Sequence, residues 1–124
     1  HMVLSEIISK EPLGPVVRQG DDQWFNIVRW SLNAMINAEE LGVDSGNVNQ
    51  MEFNDVSPAI ARLIGKEGNF GEELGLDNKW AYNIIRQVGN YAESYEANVT
   101  PLGLARGVNA LWSDGGILYA APVR

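Results

Sequence analysis

The sequence has no cysteine and one histidine, His1, among its 124 residues. Without cysteine there is no disulfide framework, no thiol nucleophile and no thiolate metal site. Ser-His-Asp, Cys-His and zinc-hydrolase sites all need one of these two residue types, so the sequence excludes them. His1-Met2 resembles a remnant of cloning, and we expect residues 3–124 to form a single domain. These absences favour a binding or assembly protein over an enzyme, with no cofactor.

Positive charge is also scarce. Nine Lys and Arg stand against sixteen Asp and Glu, which gives a formal net charge of −7. No cluster of basic residues occurs that could neutralise a run of phosphates, so nucleic acid is excluded as a partner. The longest apolar runs are far below the ~18 residues of a membrane span, so no membrane insertion is expected.

Paired carboxylates are the one catalytic arrangement that the composition leaves open. Asp21/Asp22, Glu39/Glu40 and Glu72/Glu73 are the candidates. Adjacent residues of a helix point about 100° apart, so each pair diverges and is expected to be solvated surface. A carboxylate-only enzyme therefore remains a remote third possibility. Arg106 could bind a carboxylate ligand, but we expect an intrachain salt bridge.

The helical pattern dominates the sequence and predicts a mainly α fold. Asp21 caps a helix that runs to Leu41 and stops at Gly42. Ser57-Pro58 begins a second helix, because a capping residue precedes proline at the first helical position. A long helix is expected from about Asn78 to Asn98 in spite of Gly89.

The ends of the sequence contain the remaining expected elements. A shorter helix is predicted over 104–112, before the Gly115-Gly116 stop. Val16–Arg18 and Ile117–Ala121 have the composition of short strands. The expected architecture is therefore a small helical unit with short terminal β segments.

The first long helix is apolar over most of its circumference, which is unusual in a protein of this size. Such a helix must be covered on more than one side, and large apolar patches are seldom left exposed on a soluble monomer. We therefore expect the chain to form a homo-oligomer that buries this helix. The predicted self-association surface consists of Trp24, Phe25, Val28, Trp30, Leu32, Met35 and Ile36.

Four segments make a family resemblance visible. They are EIISKEPLGPVVRQGDDQWF at 6–25, INAEELG at 36–42, WAYNIIRQVGNY at 80–91 and GVNALW at 107–112. Together they resemble the periplasmic solute-binding proteins of general L-amino-acid ABC transporters, and the likeness is weakest over 43–56. The resemblance is to the C-terminal portion of these much longer proteins.

The resemblance implies a type II periplasmic binding protein, in which two α/β lobes joined by hinge strands trap an amino acid. It implies that 12–18 corresponds to the last hinge strand and 21–41 to the first-lobe helix after it. The remainder corresponds to a C-terminal extension. Full-length members bind L-amino acids and partner a membrane component of the transporter. Their main ligand contacts lie upstream of this sequence, so no binding residue can be assigned here and no amino-acid cleft is expected.

Two hypotheses follow for the function. The first is a truncated or excised C-terminal segment of such a binding protein, unable to bind amino acid alone and self-associating. The alternative is an independent module for protein–protein interaction or small-ligand binding, derived from the same family. The resemblance implies a periplasmic location, whereas a complete gene product with this N-terminus would be cytoplasmic.

Overall fold

The structure is a computed structural model, and it describes Leu4, Glu6, Ile8, Ser9 and residues 12–124. The expected cloning remnant at positions 1 and 2 lies outside the described residues. The helices, in chain order, are α1 (Asp22–Glu40), α2 (Val48–Phe53), α3 (Pro58–Leu63), α4 (Phe70–Glu73), α5 (Trp80–Val88) and α6 (Tyr91–Asn98). Single turns of 3-10 helix follow at Thr100–Leu102, Gly107–Asn109 and Trp112–Asp114. The prediction of a mainly α fold is confirmed.

Helix α1 begins and ends where its sequence predicts, within one residue. The Asp21 carboxylate accepts a hydrogen bond from the backbone N–H of Trp24 at 3.0 Å, which satisfies one of the free amides of the first turn. Gly42 follows the helix with φ +67°, a left-handed conformation that glycine adopts without steric cost. The buried residues of α1 are Ala34, Ile36, Asn37 and Ala38, and all of them lie in its second half.

The prediction of one long helix over 78–98 is wrong, because two helices with a sharp break between them occupy this segment. Gly89 stands at φ 94° and ψ −177°, a backbone conformation that is almost exclusive to glycine. Asn90 then caps α6 through a capping box with Glu93. The Asn90 side chain also donates to the carbonyl of Val43 at 2.9 Å, so the break is fixed to the loop after α1.

The two short strands and the 104–112 helix are not formed in the described part of the chain. Residues 12–18 have no ladder partner there, and the segment after Gly116 makes one isolated parallel bridge, between Leu111 and Leu118. A Cβ at Gly116 would lie 1.9 Å from the Ala110 carbonyl oxygen, so the chain turns too tightly there for any larger residue. Tight turns and this single bridge replace regular structure at the C-terminal end.

The core has two parts on opposite sides of α1. The larger part joins α1 to α3 and α5, and its fully buried large side chains include Leu63, Ile64 and Ile85. The smaller part is formed by Ile36, Leu111 and Ala120, so the C-terminal segment packs directly on α1. The buried residues of α1 all lie in its second half, and in the first half Trp30 is partly buried and packs against the larger part.

Candidate docking surface on the first helix

An apolar groove runs along the exposed half of α1. Pro15 and Val17 line one side of it, and Phe25, Val28 and Leu32 line the other, with Arg29 and Asn33 also at the groove. Positions 25, 28 and 32 recur at helical spacing and therefore form one stripe along the helix. The groove encloses a volume of about 160 Å³. We call these seven residues the α1 groove.

The first half of α1 is poorly covered. None of residues 22–33 is buried, and Trp24 and Phe25 remain 51% and 47% exposed. Aromatic side chains of this size stabilise a core or an interface most when they are removed from water. Phe25 lines the α1 groove and Trp24 precedes it in the chain, so two half-exposed rings are consecutive on this half of the helix.

The structure places the seven residues of the predicted self-association surface at different depths, from exposed to buried. Trp24 and Phe25 are exposed, and Val28 and Leu32 line the α1 groove while partly buried. Met35 is half-buried. Trp30 packs against the larger core. Ile36 is 5% exposed in the smaller core, so it cannot form part of an exposed surface. The C-terminal segment, through Leu111 and Ala120, covers the side of the helix on which Ile36 lies.

The main chain of the segment beside the groove has no hydrogen-bonding partner among the residues that the structure describes. Within the described residues, the backbone N–H and C=O groups of 12–17 make no hydrogen bond. Val16 is 94% exposed, whereas Val17 is partly buried against the groove. The other residues of 12–18 are exposed, so Val17 is the one side chain of this segment that is partly covered. We call residues 12–18 the arm.

The two carboxylates of the Glu39/Glu40 pair have different partners. Glu39 accepts hydrogen bonds from the Arg106 guanidinium at 2.9 and 3.2 Å, while Glu40 accepts a long one from the Trp112 indole at 3.3 Å. The predicted intrachain salt bridge of Arg106 is thereby confirmed. In the part of the chain that is described, no group of His, Asp or Glu side chains could hold a metal ion.

Glu93 belongs to a structural network between α6 and the loop after α1. Its carboxylate accepts hydrogen bonds from the Ser45 hydroxyl at 2.5 Å, the Ser45 N–H at 3.1 Å and the Asn90 N–H at 2.7 Å. Burial raises the pKa of Glu93, but these hydrogen bonds stabilise the charged form more strongly, so the pKa lies below its ordinary value. The role of this carboxylate is to join the N-terminus of α6 to the loop after α1.

A second concavity was not anticipated from the sequence. A cleft of about 300 Å³ lies between α1, α3 and the C-terminal segment, and Arg62, Trp112 and Tyr119 are among its lining residues. The rings of Trp112 and Tyr119 meet edge to face at 6.0 Å. The Arg62 Nε is buried without a hydrogen-bond partner. These residues come from distant parts of the chain with no common spacing, so no sequence motif indicates the cleft.

No helix in the described ranges is both long and apolar enough to cross a membrane.

Similar proteins were found by sequence and by structure. The chain is 62% identical over 126 residues to the putative amino-acid ABC transporter-binding protein YhdW of Escherichia coli K12. It is 57% identical over 129 residues to the general L-amino acid-binding periplasmic protein AapJ of Rhizobium johnstonii. The match covers 99–100% of this chain but only 37–38% of these relatives.

The structural comparison gives the same result. An ABC transporter periplasmic binding protein from Brucella ovis, solved with glutathione bound, superposes with a TM-score of 0.90 at 51% sequence identity. The superposition covers 98% of this chain and 39% of that protein. The helices and turns described above therefore have the arrangement that they have within a larger binding protein.

No family model matches the chain. The relatives are transporter binding proteins and not enzymes. Over its whole length, this chain corresponds to a C-terminal portion of the periplasmic solute-binding proteins of amino-acid ABC transporters.

Proposed function

We propose that this chain is a scaffold segment of an amino-acid solute-binding protein, that it binds no amino acid by itself, and that it self-associates through the α1 groove. The observation on which the proposal depends is the poorly covered first half of α1, where Trp24 and Phe25 are half exposed and Phe25 lines an apolar groove. The chain acts in transport, without catalysis, and in the periplasm like its relative AapJ.

Several features support the lack of an amino-acid site. An α-amino acid needs a cation for its carboxylate and an anion for its ammonium group, placed together in a concave site. The ion pairs and carboxylate contacts of α1 and its neighbours are internal, as Glu39 with Arg106 and Glu93 with Ser45 illustrate. The α1 groove has apolar walls and Arg29, and no carboxylate lines it.

Isothermal titration with a panel of L-amino acids tests the first part of the proposal. We expect no heat of binding at micromolar to millimolar concentrations. Binding with micromolar affinity by the 124-residue chain would overturn it.

Static light scattering over a range of protein concentrations tests the second part. We expect an assembly larger than the 13.6 kDa chain at micromolar concentration. Phe25→Ser is expected to shift the equilibrium toward the monomer. The matched control is Phe53→Ser, because Phe53 is 85% exposed at the end of α2 and does not line the groove. A stable monomer in the unaltered chain would contradict the self-association.

The alternative, an independent ligand-binding module, is supported by the cleft at Arg62. Its volume of about 300 Å³ lies at the lower limit for small-ligand sites, and the unpaired Nε of Arg62 is a buried donor that needs an explanation. Titration with small carboxylic acids distinguishes this alternative, since binding that Arg62→Met abolishes would place the ligand in the cleft.

A further inference from the structure

We infer that the cleft between α1, α3 and the C-terminal segment binds a small carboxylate with an apolar body, and that the Arg62 guanidinium receives the carboxylate group. The inference rests on the small-ligand alternative proposed above and names the class of ligand. The proposed self-association uses a different surface, because the residues that line the cleft all lie between positions 37 and 124 and none of them lines the α1 groove.

The Arg62 guanidinium has no hydrogen-bond acceptor in the part of the chain that the structure describes. Its Nε is buried without a partner, and its side chain is only 30% exposed. Glu67 is the one carboxylate of the described residues that comes within 4.0 Å of it, at 3.9 Å, and the Glu67 side chain is 58% exposed. A guanidinium carries five N–H donors and a permanent charge, so one that is largely removed from water needs an acceptor.

The ionisable side chains that line the cleft favour an anion. Arg62 and Arg124 are the cations, and Glu40 is the one carboxylate among the lining side chains. Glu40 accepts a hydrogen bond from the Trp112 indole at 3.3 Å, so this carboxylate already has a donor. A carboxylate group matches the planar guanidinium, because its two oxygens can accept two parallel N–H bonds. The anion is therefore attracted locally, although the whole chain carries a net charge of −7.

The remaining wall of the cleft suits an apolar body. Trp112 and Tyr119 are 52% and 73% exposed, and their rings meet edge to face with centroids 6.0 Å apart. Leu41 and Leu63 line the same cleft. Its volume of about 300 Å³ is at the lower limit for small-ligand sites and fits a ligand of about one ring and one carboxylate.

The walls of the cleft are held together by the Asn37 side chain. Its Nδ2 donates to the carbonyl of Ala121 at 2.7 Å and to that of Asn33 at 2.9 Å, and the residue is 6% exposed. This pair of hydrogen bonds fixes the C-terminal segment on α1. A ligand that enters the cleft therefore orders little additional chain, which reduces the entropic cost of binding.

Isothermal titration of the 124-residue chain with phenylacetate tests this site. We expect a dissociation constant of roughly 1 mM or below, which is ordinary for a ligand of this size. Phenylacetamide has the same shape without the charge, and acetate has the charge without the ring. Each should bind at least about tenfold more weakly than phenylacetate. No binding of phenylacetate at about 10 mM, or equal binding of phenylacetamide, would overturn the inference.

Substitution of Arg62 locates the carboxylate. Arg62→Met should weaken phenylacetate binding at least about tenfold, whereas Arg62→Lys keeps the charge, loses the planar fork and should have an intermediate effect. The matched control is Arg86→Met, because Arg86 stacks on the Tyr82 ring at 5.9 Å and does not line the cleft. Circular dichroism verifies that each variant keeps its helices. Equal weakening by Arg62→Met and Arg86→Met would indicate a general effect of charge and overturn the site.

A peptide that ends in phenylalanine presents the same carboxylate and ring on a polypeptide. It should bind more weakly than phenylacetate, because the volume of the cleft leaves little room for further residues. Tighter binding of the peptide would overturn the assignment to a free small carboxylate.

Light scattering of the same samples separates this site from the proposed self-association. A monomer that binds phenylacetate would retain the site and contradict self-association, and an assembly that binds no phenylacetate would do the reverse.

Discussion

Glu39 and Arg106 are 67 residues apart in sequence and form a salt bridge with an Oε1–Nη2 distance of 2.9 Å. Their side chains are only 13% and 22% exposed. The Arg106 guanidinium also lies 5.5 and 5.2 Å from the ring centroids of Tyr91 and Tyr95 and donates to the Asn109 carbonyl. One cation therefore connects α1, α6 and the C-terminal segment.

Arg106→Met is expected to lower the free energy of unfolding by about 2–3 kcal/mol, because it leaves Glu39 as a largely buried carboxylate without its partner. Chemical denaturation monitored by circular dichroism measures the change. Glu67→Gln is the control, since Glu67 is more exposed and stands 3.9 Å from Arg62, and it should change stability by less than about 0.5 kcal/mol. Equal effects of the two substitutions would contradict the role of Arg106.

Gly89→Ala is expected to lower the free energy of unfolding by about 2–3 kcal/mol. The conformation at φ 94° and ψ −177° is strained for any residue with a Cβ, and that Cβ would lie 2.7–2.9 Å from the Glu93 side chain that completes the capping box. Gly103→Ala is the matched control, with φ +78° and no atom within 4 Å of the added Cβ. Gly103→Ala should lower the free energy of unfolding by about 1 kcal/mol. A Gly89→Ala variant as stable as the unaltered protein would disprove the strain at Gly89.

The sequence predicted the parts of the fold that depend on local chemistry. Asp21 and Gly42 mark the ends of α1 because a capping carboxylate and a left-handed glycine act within one turn of the residues they terminate. The salt bridge of Arg106 was also predicted, because a cation near a helix start needs an anionic partner. Its partner could not be named, since Glu39 comes near only after folding.

The wrong predictions have two causes, a local signal that was missed and contacts that form only after folding. The sequence contains a local signal for the break, because Gly89 is followed by Asn90 and Glu93, which form a capping box. The hydrogen bond from Asn90 to Val43, which the sequence does not show, fixes the break to the loop after α1. Ile36 and Phe25 were equivalent on an all-round apolar helix, since periodicity does not tell which side the C-terminal segment covers. For the same reason, the α1 groove could be predicted as a surface but not outlined residue by residue.

The free energy of unfolding should fall as the pH is lowered below about 4.5, which is the ordinary pKa of a glutamate such as Glu93. The pKa of Glu93 is lowered in the folded protein, because hydrogen bonds from Ser45 and Asn90 to the carboxylate outweigh its burial. Because this pKa is lowered, the Glu93 carboxylate contributes fully to the stability of the fold above its unfolded pKa. That contribution is lost as the pH falls through the folded pKa. Glu93→Gln should therefore lower stability by about 1–2 kcal/mol at pH 7 and make the acid decline shallower.

Urea denaturation at a series of pH values between 3 and 7 measures this dependence. The control is Glu96→Gln, which removes an exposed charge from the same helix and has no hydrogen bond among the described contacts of α6. If Glu93→Gln and Glu96→Gln give the same pH profile, the network around Glu93 does not stabilise the fold in this way.

Ile36→Ala is expected to lower the free energy of unfolding by roughly 2–4 kcal/mol, because it opens a cavity between α1 and the C-terminal segment. Ile36 is 5% exposed against Leu111 and Ala120. Ile117→Ala removes the same atoms from a side chain that is 74% exposed, so its effect should stay within about 0.5 kcal/mol. Calorimetric melting of the two variants and the unaltered protein, all at one protein concentration, measures both changes in stability. If both variants lost the same stability, the C-terminal segment would not cover α1, and Ile36 would return to the set of residues available for docking.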